Sequence, residues 1–562
     1  MLDLLFTNAR ICDGSGSPSH HGAVGVQDGR ITFVGGSGDG QVARRTIDVQ
    51  GEVLAPGFID PHTHYDAQVC WDDTLTSSPW HGVTTICMGN CGVGVAPARP
   101  AAREALLRDL ENVEAIPYEV MSTGIPWGWE SYGEYLDFID RKGTSINLVG
   151  LVSLTALRYY VMGEAAMERA ASTDEVGKLQ DELRRAMQDG AWGFSGDFLP
   201  HHVGYKGRPL ACSLASREEI RGLCEVLREL DRGTASISLA STRLGTLPLS
   251  DADVELLRMM VTVSGRRMTW LPLLSKFGEP DFPRHTLAKL GELVAHAVPQ
   301  ITPRPMVFLV SLGKPFRFGW YDTWKKAIGA TRDEQEALYR SPTWRTAALE
   351  EMRTHDRQFP WANFWVKHTR SPALAHYEGR TIAAIAAAEG KSPLETFLDI
   401  GLADDMNGIF ELQNANLDPA GVEWLVKNPD LLIGVSDAGA HVDQLCDVVY
   451  STYVLQHWVR ETGVLSLEEG VRRLTSMPAH VFGIAARGRL VPGYHADLVI
   501  FDPATVGPEP PEMRADLPLG AERLIAKAHG ITASFVGGVQ VLDRGELLAA
   551  RPGRTLRSGR DG

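Results

Sequence analysis

The chain has 562 residues, of which 44% are hydrophobic and 22% are charged, and its formal net charge at pH 7 is −15. This length exceeds one simple domain and fits a large domain joined to a smaller one. An acidic chain repels phosphate backbones, so the composition argues against nucleic acid as a partner. It does not exclude a small anionic substrate, because the local field at a site can oppose the net charge.

The seven cysteines are odd in number, scattered, and form no CxxC pair. This pattern argues against a disulfide framework and predicts a reducing compartment. The amino terminus, MLDLLFTNARICDG, has no basic segment followed by an apolar one, so no signal peptide is expected. Without an apolar run of about 18 residues, neither a membrane helix nor a membrane partner is expected. These features predict a cytoplasmic protein.

The first 50 residues alternate apolar and polar positions between turn signals, which predicts short strands at 4–11, 23–26 and 31–34. Asp28-Gly29 between two of these runs predicts a hairpin. The same pattern of short strands between turn signals recurs at 496–501, 531–535 and 539–542. We therefore predict one small β-sandwich domain built from residues 1–55 and 480–549. The basic, glycine-rich residues 550–562 are predicted to be a flexible tail.

The middle of the chain alternates short apolar strands with amphipathic helices. Strands are predicted at 83–88, 146–152, 190–194 and 431–435, and helices at 173–189, 217–230 and 466–475. This alternation indicates an α/β fold, and over residues 56–479 it favours a (β/α)8 TIM barrel. Segments near 100–138 and 314–375 are predicted to be insertions, which serve as lids or as contacts in a homo-oligomer.

The strongest chemical motif is PGFIDPHTH, in which an apolar strand ends in His62 and His64. Side chains at i and i+2 of a strand share one face, so the two imidazoles can share a metal ion. The carboxyl ends of barrel strands are also where active sites lie. The alternative is two unrelated surface histidines, which the surrounding motif and the following Asp66 make the weaker interpretation.

A second motif, GVSDAGAH, places Asp437 after the apolar strand at 431–435. A carboxylate there can bind a metal, take a proton from the attacking water and pass it to the leaving group. The alternative is that Asp437 is a helix N-cap. Because the HxH motif is also present, the catalytic interpretation is favoured over the cap.

A third motif, TTICMGNCGVG, offers Cys91 as a zinc ligand or as a small buried cysteine, and the sequence leaves these two interpretations evenly balanced.

Together these motifs resemble the amidohydrolase superfamily over nearly the whole chain, including GRLVPGYHADLVIFD near its end. NCGVGVAP and SDAGAH are similar to the D-aminoacylase branch, the N-acyl-D-amino-acid deacylases. The resemblance implies a zinc enzyme that hydrolyses the amide of N-acyl-D-amino acids. It also implies His62, His64 and Asp437 as site residues and Cys91 as a zinc ligand.

The chain departs from that branch at three histidines. The branch has one in a Ser-His-Met-Arg pattern on strand five, where residues 240–243 read ASTR, and one on strand six, where residues 268–274 read MTWLPLL. A third is replaced by Leu154. We therefore predict one divalent metal, most simply zinc, with His62, His64, Cys91 and Asp437 as ligands. The other histidines considered as substitutes are His201, His202, His376 and His441.

Four residues are named as candidate substrate-binding groups: Arg158, Arg243, His441 and His201. Either arginine could hold a substrate carboxylate in a bidentate fork, or serve as a structural ion-pair partner. The leading hypothesis is a metal-dependent hydrolase of an amide or related C–N bond that acts on a small molecule. The alternatives are a lyase, decarboxylase or isomerase on the same barrel, and a non-catalytic binding protein.

Overall fold

In a computed structural model, the described residues are 1–200, 202–240, 247–328, 330–355 and 358–561. The chain begins with five strands: β1 (Leu2–Ile11), β2 (His20–Gln27), β3 (Arg30–Val34), β4 (Ala43–Asp48) and β5 (Val53–Pro56). β2 and β3 pair antiparallel across the turn at Asp28-Gly29, so the predicted hairpin is confirmed. Alternate side chains of β1 and β2, among them Phe6 and Val24, pack into one buried cluster.

A run of parallel strands follows, and almost all of its side chains are buried. Its members are β6 (Phe58–Asp60), β7 (Val83–Met88), β8 (Asn147–Gly150), β9 (Val152–Ser153), β10 (Gly193–Asp197), β11 (Thr234–Ser238), β12 (Met268–Leu271) and β13 (Ala297–Ile301). Neighbouring strands pair in parallel in two sheets, β6-β7-β8 and β9 to β13. Parallel sheets covered on both faces bury continuous apolar runs of this kind.

Helices separate these strands. They are α1 (Arg103–Glu114), α2 (Tyr118–Gly124), α3 (Tyr132–Lys142), α4 (Leu154–Met162), α5 (Thr173–Asp189), α6 (Arg217–Leu230), α7 (Asp251–Ser264) and α8 (Phe282–Ala288). Ser172, Ser216 and Ser250 begin α5, α6 and α7 with capping boxes, which fix the helix starts. The helices predicted at 173–189 and 217–230 are confirmed. The strand predicted at 190–194 begins instead at Gly193, because Gly190 ends α5 at a φ of 126°.

A second insertion forms a layer with its own aromatic core. It contains β14 (Met306–Val310), α9 (Asp322–Lys325), α10 (Arg332–Arg340), α11 (Pro342–Thr354), β15 (Phe364–His368), α12 (Ile382–Glu389), α13 (Pro393–Ala403) and β16 (Ile409–Ala415). β14 and β15 pair antiparallel with β16. The layer is therefore wider than the predicted 314–375.

After α14 (Pro419–Lys427), the short strand β17 (Leu432–Ile433) pairs in parallel with β13. It is shorter than predicted because Val435 has a φ of 56°, which ends the extended backbone. Just beyond it, Ala438 forms a parallel bridge with Thr63, after β6. Three α-helices follow, α15 (Tyr450–Tyr453), α16 (Leu467–Leu474) and α17 (Ser476–Phe482), and a π-helix (Val454–Glu461) continues directly from α15.

The last strands return to the first sheet. They are β18 (Leu498–Phe501), β19 (Gly507–Pro508), β20 (Glu512–Arg514), β21 (Arg523–Ile525), β22 (Ala528–His529), β23 (Ile531–Val536), β24 (Val539–Asp543) and β25 (Glu546–Leu547). β18 pairs antiparallel with both β5 and β23, so strands from the two ends of the chain share one nine-stranded sheet. Among the described residues, no helix is both long and apolar enough to cross a membrane.

The carboxyl-terminal segment is packed, which corrects the prediction of a flexible tail. Leu556 is 1% exposed, and its carbonyl accepts a hydrogen bond of 2.6 Å from the Trp192 indole. Thr555 bridges in parallel to Leu148, and Arg557 forms ion pairs with Asp137 and Asp140. Three arginines that made this segment look like a solvated tail instead have carboxylate partners: Arg557 on α3, Arg551 at Asp73 and Arg554 at Asp561.

We expect Leu556→Ala to lower the free energy of unfolding by about 2–4 kcal/mol, because it leaves a cavity under a fully buried side chain. Denaturant unfolding monitored by tryptophan fluorescence measures this change. Arg560→Ala, at an exposed position of the same segment, is the control and should unfold like the unmodified protein. Equal stability of the two variants would mean that the segment is not docked in solution.

Candidate metal centre

The two histidines of the HxH motif lie immediately beyond β6, and both are buried. Backbone hydrogen bonds fix the segment on two sides. The Thr63 amide donates to the Cys87 carbonyl at 2.9 Å, and the His64 amide donates to the Ala438 carbonyl at 2.7 Å. The two imidazole centroids are 5.1 Å apart. The strand ends therefore hold both rings at one point of the fold, as the spacing predicts.

Cys91 reaches the same point from the loop after β7. Its backbone is left-handed, with a φ of 50°, which is uncommon for a residue with a side chain. Gly92 makes this turn possible, because a Cβ there would lie 2.8 Å from the Asp197 amide nitrogen. The thiol sulfur is 3.5 Å from His62 Nε2. His62, His64 and Cys91 each offer one ligand atom, and these three atoms lie within 4.8 Å of one another.

Asp437 completes the group from the loop after β17. Its Oδ1 is 3.3 Å from His62 Nε2 and 3.8 Å from His64 Nε2. Its φ is 47°, and such sparsely populated backbone conformations cluster at functional sites. Burial alone would raise the pKa of this carboxyl, but the imidazoles of His64 and His62 beside it hold that pKa below its usual range. Asp437 is therefore a carboxylate at neutral pH.

The orientation of His62 is set by residues of two further strands. His62 Nδ1 is 2.9 Å from Gln300 Oε1 on β13, and Gln300 Nε2 donates to Thr269 Oγ1 on β12 at 2.9 Å. Because the amide oxygen can only accept, His62 carries its proton on Nδ1 and presents an unprotonated Nε2 to Cys91 and Asp437. Gln300 is a polar residue next to the end of an apolar strand, so a sequence signal for it exists, although Gln300 is not among the predicted site residues.

Glu114, the last residue of α1, contacts His64. Its Oε1 is 3.4 Å from His64 Nδ1, and its Oε2 is 3.9 Å from His441 Nε2. Burial raises the pKa of Glu114 to about 7, although the charge of His64 opposes the shift. Glu114 belongs to the first insertion, and no strand-end pattern marks it. The only sequence signal is an acidic residue beside Val113 on the buried face of an amphipathic helix.

Two further histidines border the group. His441 is 8% exposed and lies between the rings of Phe308 and Phe316, with centroid distances of 6.1 and 5.4 Å. His202 Nδ1 is hydrogen bonded to Asp197, which ends β10. The structure thus brings His441 and His202 next to the centre. His376 lies on the surface of the second insertion, and its ring is tilted against that of Tyr377.

The donor set fits a divalent cation. Imidazole nitrogen, thiolate and carboxylate are the zinc ligands of proteins, and a catalytic site needs three of them and an open position. Neither ring nitrogen of His64 has a hydrogen-bond partner among the described residues, although the side chain is buried. An orphaned imidazole surrounded by carboxylates is costly unless a cation or a proton compensates it. His62, His64, Cys91 and Asp437 are therefore the residues that could hold a metal.

Arg158 is not a substrate-binding residue in this structure, which corrects that prediction. Its guanidinium is fully buried in an ion pair with Glu219 and donates to the Ala166 and Arg169 carbonyls at 3.2 and 2.7 Å. Its donors are thus directed into the protein. The remaining candidates, Arg243 and His201, lie outside the described residues, as does Ser241.

Parallel strands that end in two histidines, a cysteine and an aspartate form the arrangement of a metal-dependent hydrolase. The sequence profile of the amidohydrolase family matches residues 45–542. The chain therefore belongs to the amidohydrolase family, and it is a hydrolase of carbon–nitrogen bonds other than peptide bonds.

Relatives align with nearly the whole chain. D-aminoacylase from Alcaligenes xylosoxydans xylosoxydans is 28% identical, over 99% of this chain and 97% of its own. The solved N-acyl-D-glutamate deacylase from Bordetella bronchiseptica, complexed with zinc and a phosphonate inhibitor, is 25% identical with a TM-score of 0.67, covering 99% of each chain. A solved D-aminoacylase with a binuclear metal centre is 24% identical with a TM-score of 0.67, over 99% of this chain and 100% of its own. This last likeness shows the fold alone.

We expect Glu114→Gln to weaken zinc binding by about 10- to 100-fold, because partners of ligating histidines have effects of this size. The amide keeps an acceptor for His64 but removes the charge. Competition against a chromophoric chelator measures the affinity. Asp109→Asn is the matched control, since Asp109 is buried on the same helix but binds the Tyr205 amide at 2.6 Å. Equal affinities of the two variants would contradict a role for Glu114 at the centre.

We expect Arg158→Met to lower the free energy of unfolding by about 3–5 kcal/mol, because it leaves the Glu219 carboxylate buried without its partner. Denaturant unfolding provides the measurement. The double variant Arg158→Met/Glu219→Gln should recover part of the loss, since it removes both charges. Unchanged stability together with weakened substrate binding would restore the substrate role of Arg158.

Proposed function

We propose that this chain hydrolyses the amide bond of N-acyl-D-amino acids, using one zinc ion held by His62, His64, Cys91 and Asp437. The observation that carries the proposal is the convergence of three buried side chains and the largely buried Asp437 at the ends of three separate strand–loop connections. The named relatives, a D-aminoacylase and a zinc-complexed N-acyl-D-glutamate deacylase, support the metal and the substrate class.

We also propose that the parallel strands close into a TIM barrel. Pairing runs from β6 to β8 and from β9 to β17, β8 and β9 are separated by one residue, and the Thr63–Ala438 bridge links the two ends. The strand ends that carry the centre would then lie at its carboxyl face. The nine-stranded sheet supports a composite β-sandwich domain of residues 1–55 and 480–549.

A divalent metal at this centre would act as a Lewis acid that polarises the amide carbonyl and increases the acidity of water. Asp437 supplies the base. Its low pKa keeps it ionised, so it accepts a proton from the attacking water and then donates that proton to the departing amine nitrogen. Gln300 and Glu114 hold the two imidazoles in position. Because all of these side chains are largely buried, bulk water is excluded from the reacting atoms.

The proposal of a single metal follows from which groups end the central strands. A two-metal site needs additional ligands and a bridge between ions about 3.5–4 Å apart. Near the centre, β11 ends in Ser238, whose hydroxyl is 3.8 Å from the Cys91 sulfur, and β12 contributes Thr269, which binds Gln300. Neither can replace an imidazole. His202 uses its Nδ1 to bind Asp197.

Nothing among the described residues favours a lyase, decarboxylase, isomerase or non-catalytic protein over this hydrolase. A small-molecule substrate agrees with the relatives. The cytoplasmic location and a homo-oligomer stay predictions, to be tested by cell fractionation and by light scattering of the purified chain.

With zinc supplied, the enzyme should release free amino acid from N-acyl-D-amino acids, with one equivalent of metal per chain. His62→Ala should lose most of that metal, and Asp437→Asn should lower kcat by about 10²- to 10⁴-fold, the usual contribution of a general acid–base group. Elemental analysis and an amine-release assay measure both effects.

His376→Ala is the control, because this histidine lies on the surface away from the centre. Two equivalents of zinc per chain would overturn the single-metal proposal. Release of amine from N-acyl-L-amino acids alone would overturn the proposed substrate class.

A further inference from the structure

The second insertion brings a buried arginine to the centre. Arg317 is 5% exposed, and its guanidinium carbon lies 4.1 Å from the ring centroid of Phe308 and 5.9 Å from that of Phe316. The same two rings enclose His441. His202 lies on another side of Phe316, with a centroid distance of 6.0 Å. Three basic side chains thus surround two aromatic rings.

Arg317 gives this cluster a permanent positive charge in a chain whose formal net charge is −15. Arg317 acts on both imidazoles, because its positive charge disfavours a proton on His202 and on His441. Burial and the Arg317 charge together would favour neutral His202, but the Asp197 carboxylate raises its pKa above the ordinary value. Arg317 and His202 can therefore both be cationic near neutral pH.

The cluster is also close to the metal ligands. His441 Nε2 is 3.9 Å from one oxygen of Glu114, whose other oxygen is 3.4 Å from His64 Nδ1. In an N-acyl amino acid, only the nitrogen and the α-carbon separate the acyl carbon from the carboxylate. A group that binds this carboxylate must therefore lie beside the centre that attacks the amide. The cluster meets this condition, whereas Arg158 is committed to Glu219.

We propose that Arg317, with His202 and His441, forms the subsite that binds the substrate's carboxylate, while Phe308 and Phe316 contact its apolar part. A guanidinium recognises a carboxylate through two parallel hydrogen bonds, and weaker hydration makes it better suited than an ammonium to a buried site. This inference rests on the proposed function, because it assigns the specificity of the same site to the second insertion.

The first test compares N-acetyl-D-phenylalanine with its neutral analogue N-acetyl-D-phenylalaninamide, using the zinc-loaded enzyme. The unmodified enzyme should prefer the acid in kcat/KM. Arg317→Lys should reduce that preference by about 10- to 100-fold, the range of a charged hydrogen bond, mainly through KM, with little change for the amide. Arg340→Met, at an ion-paired surface arginine of the same insertion, is the matched control and should keep the preference.

The second test does not require activity. Calorimetry compares the binding of 3-phenylpropionate with that of 3-phenylpropan-1-ol, in zinc-loaded and in metal-free protein. Arg317→Lys should weaken binding of the acid in both forms, because the subsite does not depend on the metal, and should leave the alcohol unaffected. His202→Gln should have a smaller effect of the same sign. Arg317→Met is included only if its thermal unfolding matches that of the unmodified chain.

The two tests separate the possible failures. If neither N-acetyl compound is hydrolysed but Arg317→Lys weakens 3-phenylpropionate binding, the proposed function is wrong and the carboxylate subsite stands. If Arg317→Lys and His202→Gln both leave the preference for the acid and the binding of 3-phenylpropionate unchanged, Arg317 only packs against Phe308, and the inference is overturned.

Discussion

The structure depends on placing His62, His64, Cys91 and Asp437 together in a site from which water is largely excluded. Ionisable groups lose hydration there, and a lone charge would be very unfavourable. Neighbouring groups compensate for the lost hydration through direct contacts with the site residues. Gln300 fixes one imidazole, Glu114 faces the other, and the backbone bridges from Thr63 and His64 hold the loops in register. A cation of suitable charge removes the remaining imbalance, so the metal and the fold stabilise each other.

Scaffold and insertions contribute different things to this site. The ends of the parallel strands provide the ligands, whereas Glu114 comes from the helix of the first insertion and Arg317 from the loop after β14 in the second. The strands are fixed by their hydrogen-bonded neighbours on both sides, which suits groups that must meet within ångströms. Insertions can vary without disturbing that pairing, so substrate recognition is the property they can change most freely.

The sequence predicted the site residues at strand ends better than the residues that contact them from other parts of the fold. The spacing of His62 and His64 and the position of Asp437 follow from the two-residue period of a strand, which is local information. Glu114 reaches His64 across fifty residues, and only tertiary packing makes that contact. Arg158 failed for the complementary reason: its partner Glu219 lies on another helix, and nothing near Arg158 in the sequence reveals it. The prediction of a flexible tail at 550–562 is wrong for the same reason, because Arg557 is paired with two carboxylates of α3 that are distant in the sequence.

The structure shows which side chains lie near the centre on the strands that lack the expected histidines. A ligand lost from a metal site usually leaves a buried polar gap, but here Thr269 and Gln300 form a continuous hydrogen-bond chain to His62 Nδ1. Fully satisfied buried networks of this kind rigidify what they surround. Residues of β12 and β13 therefore orient one ligand of the proposed metal, His62. In the proposed single-metal centre, this orientation directs His62 Nε2 at the metal position.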